Sequence, residues 1–262
     1  MYRDVSQKNS DGKRSARERL QEQRLREESR TRRKRTLIAA AVVVAVLGVG
    51  AGIGALVAHS GKDEKKEAGP PVDPQGATGK DSATIPVGKP AAKATLTVYE
   101  DFRCPGCAQF ENAFRDTVHD LEAKGLLKTE YHLVTLIDNN LGGTGSLNAA
   151  NAAACAQDAG KFAAYHDVLY KNQPPEPDDA FGKKPRLIEL AGQVKGLDTP
   201  AFRKCVNDGT HDSWVKKSHE AFGKSSFRAT PTVLLDGKNV YGDQSNPLTP
   251  QKLRKMVTDA QK

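Results

Sequence analysis

Two of the four cysteines stand three positions apart, in Cys104-Pro105-Gly106-Cys107. A pair at that spacing can hold half of a zinc site or open and close as a disulfide. Structural zinc needs a second pair, or a pair with closely spaced histidines. Here Cys155 and Cys205 are solitary and no His-x-x-x-His follows. The pattern favours thiol–disulfide exchange. The redox group is then the Cys104–Cys107 pair itself, with no dissociable cofactor and no metal implied.

The surrounding residues predict how the pair is held. Residues 94–99 (ATLTVY) are rich in β-branched side chains and alternate as a strand does. After the motif, Cys107, Phe110, Phe114, Val118 and Leu121 recur every three or four positions, one face of a helix, and Gly125 supplies a stop. Cys104 is then the N-cap and Pro105 the first helical residue, where a missing N–H costs nothing. A thiolate there feels unpaired N–H groups and the positive end of the helix dipole, which lowers its pKa. Cys107, one turn on, is placed to attack a mixed disulfide formed on Cys104. Glu100 and Asp101, just before the motif, are candidates to relay a proton if buried and ordinary strand-end acids if solvated.

A second anchor lies downstream. Ala229-Thr230-Pro231-Thr232 leads into Val233-Leu234-Leu235, a turn at Asp236-Gly237, and Asn239-Val240-Tyr241. That predicts a hairpin with Pro231 at the entry to a strand, where no N–H is needed.

With these pieces in order, the chain resembles the DsbA-like thiol–disulfide oxidoreductases. The matching segments are Val98-Tyr99-Glu100-Asp101-Phe102, the Cys-Pro-x-Cys motif, Ala108-Gln109-Phe110-Glu111, the stretch from Lys161-Phe162 through His166-Asp167 to Leu169-Tyr170, and the Thr-Pro loop. Together they cover residues 83–262. The resemblance implies a thioredoxin fold with a helical domain inserted between its halves. It implies a cis Thr230–Pro231 bond lying against the motif, with the backbone of Thr230 pairing with an extended substrate. It also implies exported cysteine-containing proteins as substrates and a quinone-linked membrane oxidase as regenerating partner. One departure matters. Strongly oxidising members carry His where this chain has Gly106, so the Cys104 thiolate loses a donor; Arg103, next to the motif, is a candidate to compensate in part. Cys155 and Cys205 are expected to form a structural disulfide, because thiols outside the cytoplasm tend to oxidise and similar pairs occur in some relatives. Two buried free thiols are the alternative.

The N-terminal third predicts a tether. Residues 36–58 carry no charge and are long enough to cross a bilayer as a helix. Residues 1–35 hold thirteen Lys/Arg against six acidic residues, so the positive-inside rule puts this tail in the cytoplasm and the rest outside. A cleaved signal peptide is the alternative; its basic region would be overlong and Leu56-Val57-Ala58 is a poor cleavage site. The tail also explains the net charge of +8, since the rest of the chain carries 27 basic against 26 acidic residues. The tail reads as a topology signal. Nothing after it forms the basic or aromatic stripe that nucleic acid requires.

Residues 59–82, charged and rich in Pro and Gly, are expected to be a flexible linker. The folded part, 83–262, shows strand patterns at 95–99, 129–136 and 232–241. Helical patterns cover 147–156, 162–170, 187–194, 199–207, 213–223 and 249–260. The expected class is therefore α/β, a thioredoxin-like frame with an all-helical insertion at about 145–225, preceded by the membrane helix. His59, His119, His132, His166, His211 and His219 show no ligand spacing beyond the two-turn separation of the last two, and read as surface or packing residues. The composite reading is an extracytoplasmic enzyme oxidising thiols. The alternatives are a tethered reductase or isomerase, or a CxxC metal carrier, for which only two Met and no Cys/His-rich segment offer support.

Overall fold

The computed structural model describes residues 71–262. The basic tail, the membrane helix expected over 36–58 and the linker up to residue 70 lie outside the described residues. Among those described, no helix is long and apolar enough to cross a membrane.

A five-stranded sheet forms the frame. Its strands are β1 (Ile85–Gly88), β2 (Ala94–Glu100), β3 (Leu127–Leu133), β4 (Thr232–Leu235) and β5 (Lys238–Asn239), in the order β1-β3-β2-β4-β5. β2 and β3 run parallel, joined through helix α1 (Pro105–Ala123); β1 pairs antiparallel with β3, and β4 with β2. In β2 the residues Ala94, Leu96, Val98 and Glu100 are buried and their neighbours only partly so. Glu100 thus occupies an inward position that alternation reserves for an apolar side chain. The α1 stripe of Cys107, Phe110, Phe114, Val118 and Leu121 is buried as its spacing predicts.

Between β3 and β4 come six α-helices, α2 (Leu136–Leu141), α3 (Gly145–Asp158), α4 (Phe162–Lys171), α5 (Lys184–Ala191), α6 (Pro200–Asp208) and α7 (Asp212–Lys224), with one 3-10 turn at Ala180–Gly182. The last helix is α8 (Pro250–Asp259). The α/β frame with a helical insertion is therefore present. Helix α3 sits at the centre of the insertion, and its alanines from Ala149 to Ala156 are buried, small enough for several neighbours to approach its axis. At the β4–β5 turn both Asp236 (φ 49°) and Gly237 (φ 79°) are left-handed, the conformation a two-residue hairpin requires.

Two strand boundaries need correction, and one strand is added. The strand expected over 129–136 ends at Leu133, and Leu136 begins α2. Leu136 and Ile137 continue the apolar run, but the Asp101 carboxylate accepts from Ile137 N (2.8 Å) and holds a helix start instead. The hairpin's second strand stops at Asn239, after which Tyr241 turns onto Phe110 and Phe114. Strand β1 was not anticipated: four residues containing Pro86 and Gly88 give no period, and Pro is tolerated because β1 is an edge.

Residues 72–82, placed in the linker by composition, are seated on the helical layer. His211 Nδ1 meets the Val72 carbonyl (2.7 Å), Gln75 N donates to Asp158 (2.7 Å), and Trp214 Nε1 donates to the Ser82 carbonyl (2.6 Å). The segment is held by its backbone polar groups, which a count of apolar residues does not register.

Candidate active site

Cys104 is the N-cap of α1 and Pro105 its first residue. Cys104 is 7% exposed and Cys107 fully buried, and both are free thiols. The Cys104 thiol donates to the Thr230 carbonyl at 3.2 Å, and the Thr230–Pro231 bond is cis. A Cβ on Gly106 would stand 3.1 Å from Pro231 Cδ and 3.7 Å from Cys104 Sγ, so the Thr-Pro loop closes directly over the motif. Hydrogen bonding from the Cys107 side chain, and then from Thr230 and the N–H groups of Cys107 and Gly106, lowers the Cys104 pKa to about 6 against the opposing effect of burial. Burial, reinforced by Cys104, pushes Cys107 well above the ordinary thiol range. The helix start thus sets apart a more acidic sulfur at the surface of the motif from a less acidic, enclosed one.

Arg103 does not compensate for the missing histidine. Its side chain turns into the insertion, where Nη1 meets Asp138 (2.7 Å), Asp179 (3.2 Å) and the Gly142 carbonyl (2.8 Å). The two aspartates in turn accept from the N–H groups that open α3: Ser146 and Leu147 donate to Asp138, and Thr144 and Gly145 to Asp179. The guanidinium is spent on joining the motif to the insertion.

Both acids before the motif are buried. The oxygens of Asp101 accept from Arg103 N (2.8 Å) and Ile137 N (2.8 Å), and burial still lifts its pKa to about 6. Glu100 Oε1 meets His166 Nε2 at 2.8 Å. Glu111, four residues beyond Cys107 on α1 and hence on the same face, joins them; ligating atoms of Glu100, Glu111 and His166 all lie within 4.8 Å of one another. Glu100 Oε2 and Glu111 Oε1 have no partner among the described residues. One proton shared between the two carboxyl groups satisfies both. Burial drives Glu111 up to about 8, helped by Glu100 and opposed by the His166 charge. Burial works against the His166 imidazolium, but Glu100, Asp167 and Glu111 together outweigh it and the pKa reaches about 10. Near neutral pH Glu111 therefore keeps its proton and His166 carries its charge.

Glu111 was not singled out from sequence, and His166 was read as a packing residue. The available signal was a charged residue inside an apolar helical stripe: Glu111 between Phe110 and Phe114, His166 between Phe162 and Tyr170. The pairing itself spans 66 positions and leaves no trace in local spacing.

This group makes stability depend on pH. Glu111 titrates at 4.5 when unperturbed and about 8 here, so its burial costs stability increasingly as pH rises through that window. The His166 contribution is complete below 6.5 and is lost as pH rises through about 10. Both slopes have the same sign. Glu111→Gln, which keeps a donor for Glu100, is expected to make the loss between pH 4.5 and 8 shallower in urea unfolding curves, leaving the His166 share above pH 6.5. An unchanged slope in the variant would exclude a titrating Glu111.

The structure joins Cys155 and Cys205 in a disulfide between α3 and α6, with Cα atoms 5.9 Å apart.

Comparison with known proteins places these features. The thioredoxin family model matches residues 80–259. Disulfide bond formation protein D of Bacillus subtilis is 25% identical over 155 residues, 58% of this chain and 67% of that protein. Na(+)/H(+) antiporter NhaA 1 of Salinispora arenicola is 29% identical over 157 residues, 58% of this chain but 21% of the antiporter, so the chain matches about a fifth of that relative. Among solved structures, reduced DsbA from Mycobacterium tuberculosis superposes with a TM-score of 0.58 at 27% identity, covering 68% of this chain and 92% of its own.

Proposed function

We propose, because the chain belongs to the thioredoxin family, that it is a protein thiol–disulfide oxidoreductase that oxidises the thiols of exported proteins. The observation that carries the reading is the division of labour between the two sulfurs: Cys104 sits at the α1 N-terminus beside the Thr230–Pro231 loop with its pKa lowered, and Cys107 is fully buried with its pKa raised. In the oxidised enzyme a substrate thiolate attacks Cys104 Sγ, the Cys104–Cys107 bond breaks, and Cys107 leaves with the electron pair. A second substrate thiolate then attacks the mixed disulfide, forming the substrate disulfide and releasing Cys104 as a stable thiolate. Two electrons have passed to the enzyme, and a quinone-linked membrane oxidase removes them.

Thr230 and Pro231 form the substrate rest. When Cys104 is oxidised its thiol no longer occupies the Thr230 carbonyl, which is then available to an extended peptide. The proton taken by the departing Cys107 comes from the group beneath it. Of the two acids before the motif, Glu100 is favoured for this relay through its contact with His166 and Glu111, since Asp101 is committed to two backbone donors.

The oxidising direction is tested by the reduction potential of Cys104–Cys107, measured against glutathione, where about 30 mV is a tenfold change in equilibrium. A value above roughly −200 mV supports oxidation of substrates; a value near about −270 mV makes the protein a reductase.

The catalytic domain works outside the cytoplasm on a single helix over residues 36–58, with the basic tail inside. Protease added to intact cells is expected to digest the C-terminal domain and spare residues 1–35. A mature protein starting near residue 59 would exclude the anchor.

A further inference from the structure

The N-cap of α1 lacks its customary support. Helix starts are usually fixed by a Ser, Thr, Asp or Asn side chain that accepts from a backbone N–H in the first turn. Here the N-cap is a cysteine: the Gly106 and Cys107 N–H groups lie near enough to its sulfur to favour the thiolate, but no cap hydrogen bond fixes them among the described residues, and Pro105 contributes no N–H. The conformation that aims the first-turn N–H groups at Cys104 Sγ must therefore be imposed from outside the helix.

One side chain does so. Gln173 Nε2 donates to the Phe102 carbonyl and to the Cys104 carbonyl, each at 2.9 Å. The second of these oxygens also accepts from Cys107 N (3.1 Å) and Ala108 N (3.2 Å), the bonds that open α1. Gln173 thus grips the Phe102–Arg103 and Cys104–Pro105 peptide units, one on each side of the Arg103–Cys104 bond. Its own position is firm: it lies two residues past α4, is followed by Pro174 and Pro175 with their ring-fixed φ, and the same segment is tied to the motif where the Glu176 carbonyl accepts from Arg103 Nη2 (3.2 Å).

We propose that Gln173 is a positioning residue for disulfide exchange: from the helical insertion, it locks the N-cap peptides so that the Gly106 and Cys107 N–H groups stay directed at Cys104 Sγ. The proposal rests on Cys104 being the exchanging sulfur, which substitution of Cys104 tests separately. With the amide removed, the Phe102 and Cys104 carbonyls lose the donor that orients them, and the N–H groups lose their aim at the sulfur. The thiolate is then less well stabilised.

The test is a thiolate titration of the full chain, followed by absorbance near 240 nm, with the Cys155–Cys205 bond intact. Gln173→Met keeps the reach and removes both donors; Gln173→Glu keeps the shape and sets a carboxylate against two carbonyl oxygens. Both are expected to raise the Cys104 pKa, by about one unit for Met and more for Glu, so alkylation at pH 5 slows about tenfold in the Met variant. Melting temperatures identify the folded samples on which the titration is read. A Cys104 titration that stays at its native value in both variants overturns the proposal, whether or not the melting temperature falls. Loss of stability alone would mark Gln173 as a packing residue.

Discussion

Replacing Cys104 by Ser is expected to abolish oxidation of reduced peptide substrates, whereas the Cys107→Ser variant, offered disulfide-bonded peptides, accumulates mixed disulfides as its Cys104 thiolate attacks the peptide disulfide and one peptide sulfur leaves as a thiolate. The asymmetry follows from where each sulfur sits. With a pKa of about 6, Cys104 is mostly thiolate at pH 7, against a few per cent for an ordinary cysteine. Cys107 is fully buried, its pKa raised, and it reaches only a partner already bonded to Cys104. Without Cys107 an adduct on Cys104 has no internal thiol to resolve it, and non-reducing gels should show the trapped species. Alkylation of the two thiols at equal rates near neutral pH would contradict the assignment of roles.

Replacing Cys155 and Cys205 together by Ala is expected to cost about 4 kcal/mol, from closure of a loop of 50 residues in the chain-entropy model. For a domain of this size that lowers the melting temperature by roughly 10 °C. It is also a large share of the roughly 5–15 kcal/mol that holds a typical domain folded. The Cys104–Cys107 potential should stay nearly unchanged, because the bridge ties α3 to α6 and neither helix carries a motif residue. A melting temperature that survives the double substitution would show that the helical layer is held by its packing alone.

The two cysteine pairs show what spacing can reveal. The motif announced its chemistry because strand, cap, proline and helix face all agreed within thirty residues. The Thr-Pro loop was legible for a similar reason, as proline before a hairpin. Arg103 was misjudged because sequence gives adjacency, and a long side chain next to a cysteine can point away from it, here toward Asp138 and Asp179. Glu100 could be named but not its partners: His166 comes from a helix 66 positions away. Gln173 carried no local signal at all, since an amide after a helix and before two prolines looks like a loop residue. Segment 72–82 was misread for the opposite reason, its composition being that of free chain while its carbonyls are held by His211 and Trp214.

Three contacts between the motif region and the insertion bear on how this protein can be cut and recombined. Glu100 meets His166, Arg103 meets Asp138 and Asp179, and the Cys104 carbonyl meets Gln173. Deleting 136–224 to leave a minimal sheet-and-helix domain would strip the partners from buried Glu100 and from the buried Arg103 guanidinium at once. Losing one partner of a buried ion pair costs about 3–5 kcal/mol, so the two losses together approach the whole stability of a small domain. The insertion is thus not a detachable module. A chimera made by swapping only the Cys-x-x-Cys segment would inherit a foreign set of anchors; the unit that can be exchanged intact is the motif together with α2–α4 and the strap that follows them.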